Sequence, residues 1–477
     1  MKPGNPCCKD ILSDRLIATL RQAAKSWTCA APPLLRVAVD VDGLVPADWL
    51  AAQNADVKVY WANRRGDFEA AGSGAADVLM DDGCQTVSEV LAEIDRRVAV
   101  ADGRVRYYGG IAFDCEEEAH PGHVAEGGSC FDRGPRYWPG FGRYRFIMPQ
   151  MEVRREDGDM TFAVNLACRS DDTVETLEQQ IQRILQEVVF NGEMDDDLTE
   201  PTRILNRSDL PDRAAWTCMV GGAMGDLAGG VLDKIVLSRQ AVLTMSAPVD
   251  PSDLLNSIAH HSAGAYIFCF QLRRHDAFIG ASPECLYSRC GGEIYSEAVA
   301  GTVLSGSTDV ERRRHRGILS DSAKDREEHA YVFDGVHGGL GRLCDDVRVI
   351  DERDIVSLGY VQHFCSRFAG RLRANVAAAD IIAALHPTAA VNGHPRSAAL
   401  DQIRQREPFT RGWYAGPVGW IAADGSEFAV AIRSARLFYD RMTLFAGAGI
   451  VRSSDPDGEW DETESKLSLF LNAAARL

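Results

Sequence analysis

Phe428 to Val451 reads FAVAIRSARLFYDRMTLFAGAGIV. Apolar residues alternate with polar or small ones along both halves, the period of a strand whose two faces differ. Tyr439, Asp440, Arg441 and Met442 separate the halves as a turn, so the stretch predicts two long antiparallel strands closed by a hairpin. Its Gly-rich end, FAGAGIV (445–451), lacks the G-x-G-x-x-G spacing leading into a helix, and no dinucleotide site is read there.

The same texture extends back to Pro211. IVLSRQAVLTM (235–245), AYIFCFQLRR (265–274) and DAFIGASPE (276–284) are strand-like, and Cys290-Gly291-Gly292 predicts a further hairpin. Helical stretches intervene near 319–338, 376–385 and 459–475. Upstream, RYYGGIAFD and PRYWPGFGRYRFIMPQMEV suggest strands joined by tight turns. Residues 12–27 have helical spacing and lead into a strand in LLRVAVDVDG (34–43). The clearest helix is 172–190, with Asp172 and Glu175 placed like a capping box and one apolar stripe of Val174, Leu177, Ile181, Leu185 and Val188. Strands and helices alternate without regular βαβ spacing, which predicts a large α+β fold rather than a Rossmann-type sheet.

Composition narrows the function. With 45% hydrophobic and 25% charged residues the chain is globular, and a net charge of −18 without a basic stripe excludes nucleic acid as the expected partner. An anionic substrate would need Lys, Arg or a metal ion to reverse the field inside its site. The thirteen cysteines are scattered, without a C-x-x-C pair, as expected of reduced thiols in a cytoplasmic protein. No signal core or membrane-spanning apolar run is read.

Several segments carry ionisable groups in telling company. In SAKDREEHAYVFDGV, Asp325 and Glu328 lie three apart, and in SSDPDGEWDETESKLSLF so do Glu459 and Glu462, with Lys466 four further on. On helices each pair shares a face. If the two helices meet, four carboxylates repel unless a cation lies between them, and magnesium suits such oxygen ligands; otherwise each is a solvated charged face. Lys234 precedes Ile235, Val236 and Leu237, a setting that can favour a neutral amine if buried, or a strand end from which the chain reaches solvent. Glu284 follows Gly280, Ala281 and Pro283, where a carboxyl can be kept protonated. Gly301 and Thr302 offer an amide and a hydroxyl to a carboxylate, or simply a turn. His386 lies in a Pro-bounded loop, as a ligand donor or a tie for that turn, and Tyr414 in a Gly-rich strand and turn. Arg433 falls within an alternating apolar strand, costly unless it grips an anion.

Taken in order, DKIVLSR, GASPE, SEAVAGT, SAKDREEH, LHPTAAV, RGWYAGPVGW, EFAVAIRSA, AGAGIV and SDPDGEWDETESK closely resemble the chorismate-utilising enzymes, specifically the isochorismate synthases. The resemblance covers about residues 230 to 475. It implies an α/β sandwich of two packed antiparallel sheets with helices outside, residues 1–105 forming a variable lobe of the same domain and 106–477 the chorismate-binding catalytic region. By position, Lys234 is similar to the water-activating base and Glu284 to the acid. Glu328 and Glu462 resemble direct Mg2+ ligands, with Asp325 and Glu459 acting through water or from behind them. Gly301, Thr302, His386, Tyr414, Arg433, Gly447 and Lys466 fall where chorismate is held. Ala390 and Asn392 depart from the usual Pro and Gly of their loop.

The resemblance also separates sister reactions. Ala300, where a covalent lysine would stand before Gly-Thr, closes the aminodeoxychorismate route of that kind, and Lys234 in place of a Gln-like residue disfavours ammonia, so no glutamine amidotransferase subunit is expected. A salicylate synthase, which goes on to eliminate pyruvate, and a silent chorismate-binding regulator are the alternatives. A monomer or weak homodimer is expected.

Overall fold

The computed structural model describes residues 7–27, 32–115, 137–190, 201–306, 308–358 and 361–477. Two sheets dominate it. A 12-stranded sheet runs from Leu34–Asp40 to Gly393–His394, with Ile204–Leu210 added beside Lys234–Met245, and a 9-stranded sheet runs from Cys344–Leu358 to Asp77–Met80. The pairings that build the site region are all antiparallel. Residues before 106 supply strands to both sheets, and Lys58–Ala62 pairs with Tyr266–Arg273, far away in sequence.

Strand alternation explains the layering. In Tyr266–Arg273, Tyr266, Phe268 and Phe270 enter a core shared with Phe146, Tyr287 and Phe428 of the other sheet. Ile267 and Cys269 point the opposite way, into a second core with Leu16, Leu177, Leu254, Leu467 and Phe470 from flanking helices. The helix Ala323–Leu343 lies against Glu293–Leu304, Cys344–Leu358 and Val361–Leu372 of the 9-stranded sheet. Helices therefore cover the outer faces, and the fold is α+β.

Local expectations are met with two corrections. The helix of 172–190 spans Val174–Glu187 with Leu177, Ile181, Leu185 and Val188 buried, but its capping box is Thr173 with Thr176 rather than Asp172 with Glu175. Asp172 instead accepts from the Arg169 amide at 2.8 Å and the Thr176 hydroxyl at 3.2 Å. The hairpin at 439–442 forms between Ser434–Phe438 and Arg441–Ile450.

The second correction concerns Arg433. Gly425–Val430 belongs to the 9-stranded sheet and Ser434–Phe438 to the 12-stranded one, so the chain crosses between sheets in three residues and Arg433 stands in that crossing at φ +51, not on a strand. A second crossing, Pro283-Glu284, joins Asp276–Ser282 to Cys285–Cys290. The crossings are bonded to each other. Ala281 N donates to Arg433 O at 3.0 Å, Val430 N donates to Glu284 O at 3.1 Å, and Ser282 Oγ donates to Val430 O at 2.5 Å. Chain that leaves one ladder is thus satisfied by the other, and this junction positions the site.

Among the described residues no helix is long and apolar enough to cross a membrane, and nine cysteines, from Cys84 to Cys365, carry free thiols.

Candidate active site

A pocket opens at the junction of the sheets. Glu284 and Arg433 reach it from the two crossings, and Gly301, Tyr414 and Gly447 from the sheets and their connections. Glu328 lines it from the helix Ala323–Leu343, and Glu462 and Lys466 from the helix Pro456–Ala474. The two acidic helices therefore meet at one cavity. Asp325 and Glu459 do not line it; Asp325 lies against Gly301, where the φ of +71 strains any larger residue and an added Cβ would stand 3.0 Å from that of Asp325.

Glu284 is 4% exposed, and its environment is unusual for a carboxyl. Burial pushes its pKa up to about 7, against the opposing pull of the nearby Lys234 charge and a 3.4 Å hydrogen bond from Thr388 Oγ1. Lys234, the first residue of Lys234–Met245, is wholly buried. Its Nζ lies 3.0 Å from Glu328 Oε1, without hydrogen-bond alignment; Lys234 itself does not line the pocket and adjoins it through Glu328, which does. Gly449 makes this approach possible. A Cβ there would stand 2.5 Å from Glu328 Oε1 and 3.2 Å from Lys234 Cε.

The four acidic residues do not form a ready cage. Among the described residues no group of three or more His, Cys, Asp or Glu is arranged to hold a metal ion. Lysines stand against three of the four: Lys234 at Glu328, Lys466 at Glu462 (2.6 Å) and Lys324 at Glu459 (2.8 Å). Burial would raise the Glu462 carboxyl, but the charges of Lys466, Lys324 and Arg433 outweigh it and hold it below the ordinary range. An ionised Glu462 and a Glu328 on the same pocket wall are the two carboxylates a magnesium ion commonly takes from a protein, with water and an anionic ligand completing its shell. The donor set fits the ion.

On the ligand side, Lys466 Nζ also donates to Gly447 O at 2.9 Å, and the Tyr414 ring stacks on Phe445 at 5.1 Å. Thr302 follows Gly301 in Glu293–Leu304, and its side chain lies outside the described residues. His386 is placed elsewhere. It does not line the pocket, its Nε2 faces Phe113 O at 3.1 Å, and burial holds its pKa near 3, so the ring is neutral and ties the loop to that carbonyl.

Sequence reading missed His363 and Arg411. His363 lines the pocket with its Nδ1 3.1 Å from Gly301 O, and burial, with the Arg433 and Lys466 charges, pushes it down to about 3. Arg411 donates to Glu407 at 2.6 Å, to Val391 O at 2.7 Å and to Val236 O at 2.8 Å, while Glu407 accepts from Ser238 N at 2.8 Å. This buried knot ties the 391 loop to the strand Lys234–Met245. The R-x-x-x-E spacing, reversed, was its only signal. Arg411→Met is expected to destabilise the protein by about 3–5 kcal/mol, because it strands a buried carboxylate; denaturant titration showing a loss below about 1 kcal/mol would refute the knot's role.

A sequence family described as "Chorismate binding enzyme" matches residues 19–475. The chloroplastic isochorismate synthase of Catharanthus roseus is 33% identical over 375 residues, covering 77% of this chain; the chain spans 62% of that relative's length. Isochorismate synthase MenF of Bacillus subtilis is 31% identical over 77% of this chain and 74% of its own. The solved structure of MenF, the menaquinone-specific isochorismate synthase of Escherichia coli, superposes with a TM-score of 0.80 at 26% identity, covering 97% of this chain and 99% of that one.

Proposed function

The chain belongs to the chorismate-binding enzyme family, and from that premise we propose that it is a magnesium-dependent isochorismate synthase. The observation that carries the reading is Glu284, a buried pocket carboxyl with a pKa pushed up to about 7 within the field of the Lys234 amine. Such a carboxyl holds its proton near neutral pH and can give it to a leaving group.

In this reading Lys234 acts once it has shed its own proton, and the amine takes one from the water that attacks C2 of chorismate. The ring double bond shifts, the C4–O bond breaks, and Glu284 protonates the departing hydroxyl, so one water enters and one leaves. Exchange with solvent returns the proton from Lys234 to Glu284. Arg433 and Lys466 supply the positive charge that two substrate carboxylates require in a chain of net charge −18. Glu328 and Glu462 would hold Mg2+, which when bound localises charge on a substrate carboxylate. The neutral His363 and the stacked Tyr414 complete the wall without adding charge. The chemistry is freely reversible, since it only relocates a hydroxyl.

Purified protein incubated with chorismate, with and without magnesium, tests this by chromatography of the products. Isochorismate formed only with magnesium is expected. Salicylate with pyruvate would select the lyase-bearing alternative, and binding without turnover the regulator. A second expectation follows from the tight approach at Gly449. Gly449→Ala must push the Glu328 carboxylate aside, a flexible group, so kcat/KM is expected to fall by as much as about 100-fold with little change in melting temperature. Unchanged kcat/KM in that variant would detach Glu328 from the site.

A further inference from the structure

Of the three lysines set against the acidic helices, Lys234 and Lys466 line up with the chemistry already described, and Lys324 does not. It does not line the pocket. It sits at the start of Ala323–Leu343, four residues before Glu328 and so on the same helix face. Its ammonium crosses to the other acidic helix, donating to Glu459 Oε1 at 2.8 Å, and Glu459, 3% exposed, lies one turn from Glu462. Burial works against the Lys324 charge, but Glu459, Glu328 and Glu462 together outweigh it and hold the ammonium above the ordinary lysine value. Conversely, burial and the Glu462 charge raise the Glu459 carboxyl while Lys324 pulls it down.

We propose that Lys324 is the internal counter-cation of the acidic pair of helices, a positioning residue that clamps them together before a divalent ion arrives and whose charge weakens the hold on that ion. This rests on the reading of Glu328 and Glu462 as the metal carboxylates. Without Lys324, the buried Glu459 loses its ion-pair partner, and since Lys466 and Arg433 answer the charge of Glu462 alone, a bound cation would relieve what repulsion remains. With it, the ion meets a like charge about one helical turn away. For a divalent ion in a partly wet site, Coulomb's law makes that repulsion worth on the order of five- to tenfold in affinity.

Calorimetry with MgCl2 alone on the full chain stripped with EDTA, paired with metal-free melting curves, tests both halves. Lys324→Met is expected to bind magnesium about five- to tenfold more tightly than wild type while melting several degrees lower without metal. Lys324→Arg, which keeps the charge, is expected to match wild type in both. The double variant Lys324→Met/Glu459→Gln removes the stranded carboxylate with the ammonium, and is expected to recover the metal-free melting temperature and a wild-type affinity; it keeps the test alive if Lys324→Met fails to fold. Magnesium binding by Lys324→Met no tighter than by wild type, or an unchanged metal-free melt, overturns the inference alone. Wild-type protein that takes up no magnesium removes the metal assignment, and the inference with it.

Discussion

Lys234→Ala is expected to retain the fold and to convert chorismate at about a thousandth of the wild-type rate or less. In the proposed mechanism the loss belongs to one proton transfer, since a positioned general base contributes about 100- to 10,000-fold and Lys234 is the amine paired with Glu328, at 3.0 Å. Substrate affinity should change little, because the charges proposed to hold the substrate, Arg433 and Lys466, lie on separate elements. The truncation leaves a small buried void at the first residue of a strand that is paired on both sides, by Gly393–His394 and Arg441–Ile450, so secondary structure should survive. Steady-state kinetics beside far-ultraviolet circular dichroism decide the matter. Near-normal turnover would remove Lys234 from the mechanism.

Glu284→Gln is the second large effect, and it carries a pH signature. With a pKa of about 7 in the folded protein, Glu284 is protonated below neutrality and loses its proton above it. The wild-type rate should therefore fall about tenfold per pH unit above ~7 as the acid is lost. The glutamine variant should lose about 100- to 10,000-fold and, with it, that descending limb. Wild-type stability falls with pH as well. An unfolded carboxyl titrates near 4.5, so between there and about 7 the folded state binds the extra proton and stability declines as pH rises. The raised pKa corresponds to on the order of 3 kcal/mol. At pH 8 the glutamine variant is thus expected to unfold at higher denaturant than wild type, a slow but sturdier protein. A variant both fully active and unchanged in stability at that pH would contradict the assignment.

What could be read from the residues, and what could not, divides along physical lines. The stripe Leu177, Ile181, Leu185 and Val188 and the hairpins at 290–292 and 439–442 depend on neighbours within a few residues, and all three formed where local pattern placed them. The capping box slipped by one residue because Thr173 and Asp172 compete for the same role and only backbone geometry decides between them. Arg433 was misplaced on a strand because the alternation of apolar residues runs on through Ala431 and Ile432, although the chain changes sheets there. Nothing in a period of two records which sheet a strand joins.

The site was legible as residue types and illegible as pairs. Glu328, Glu462, Lys466 and Glu284 were all singled out, and the pocket holds them. That Glu328 would meet Lys234 on a strand 94 residues away, and Glu459 meet Lys324 on a helix 135 residues away, depends on tertiary packing, which no local spacing encodes. His363 was overlooked for a related reason. In VQHFCSRF it looks like one polar residue of an alternating strand, and only its register opposite Thr302 brings it to the pocket.

In the proposed reaction solvent water, activated by Lys234, supplies the new hydroxyl while Glu284 expels the old one. Turnover of chorismate in water enriched in oxygen-18, followed by mass spectrometry of the isochorismate, tests this most directly. One heavy oxygen in the C2 hydroxyl is predicted; product whose hydroxyl retains the light oxygen of the substrate would show migration within the molecule and contradict the mechanism.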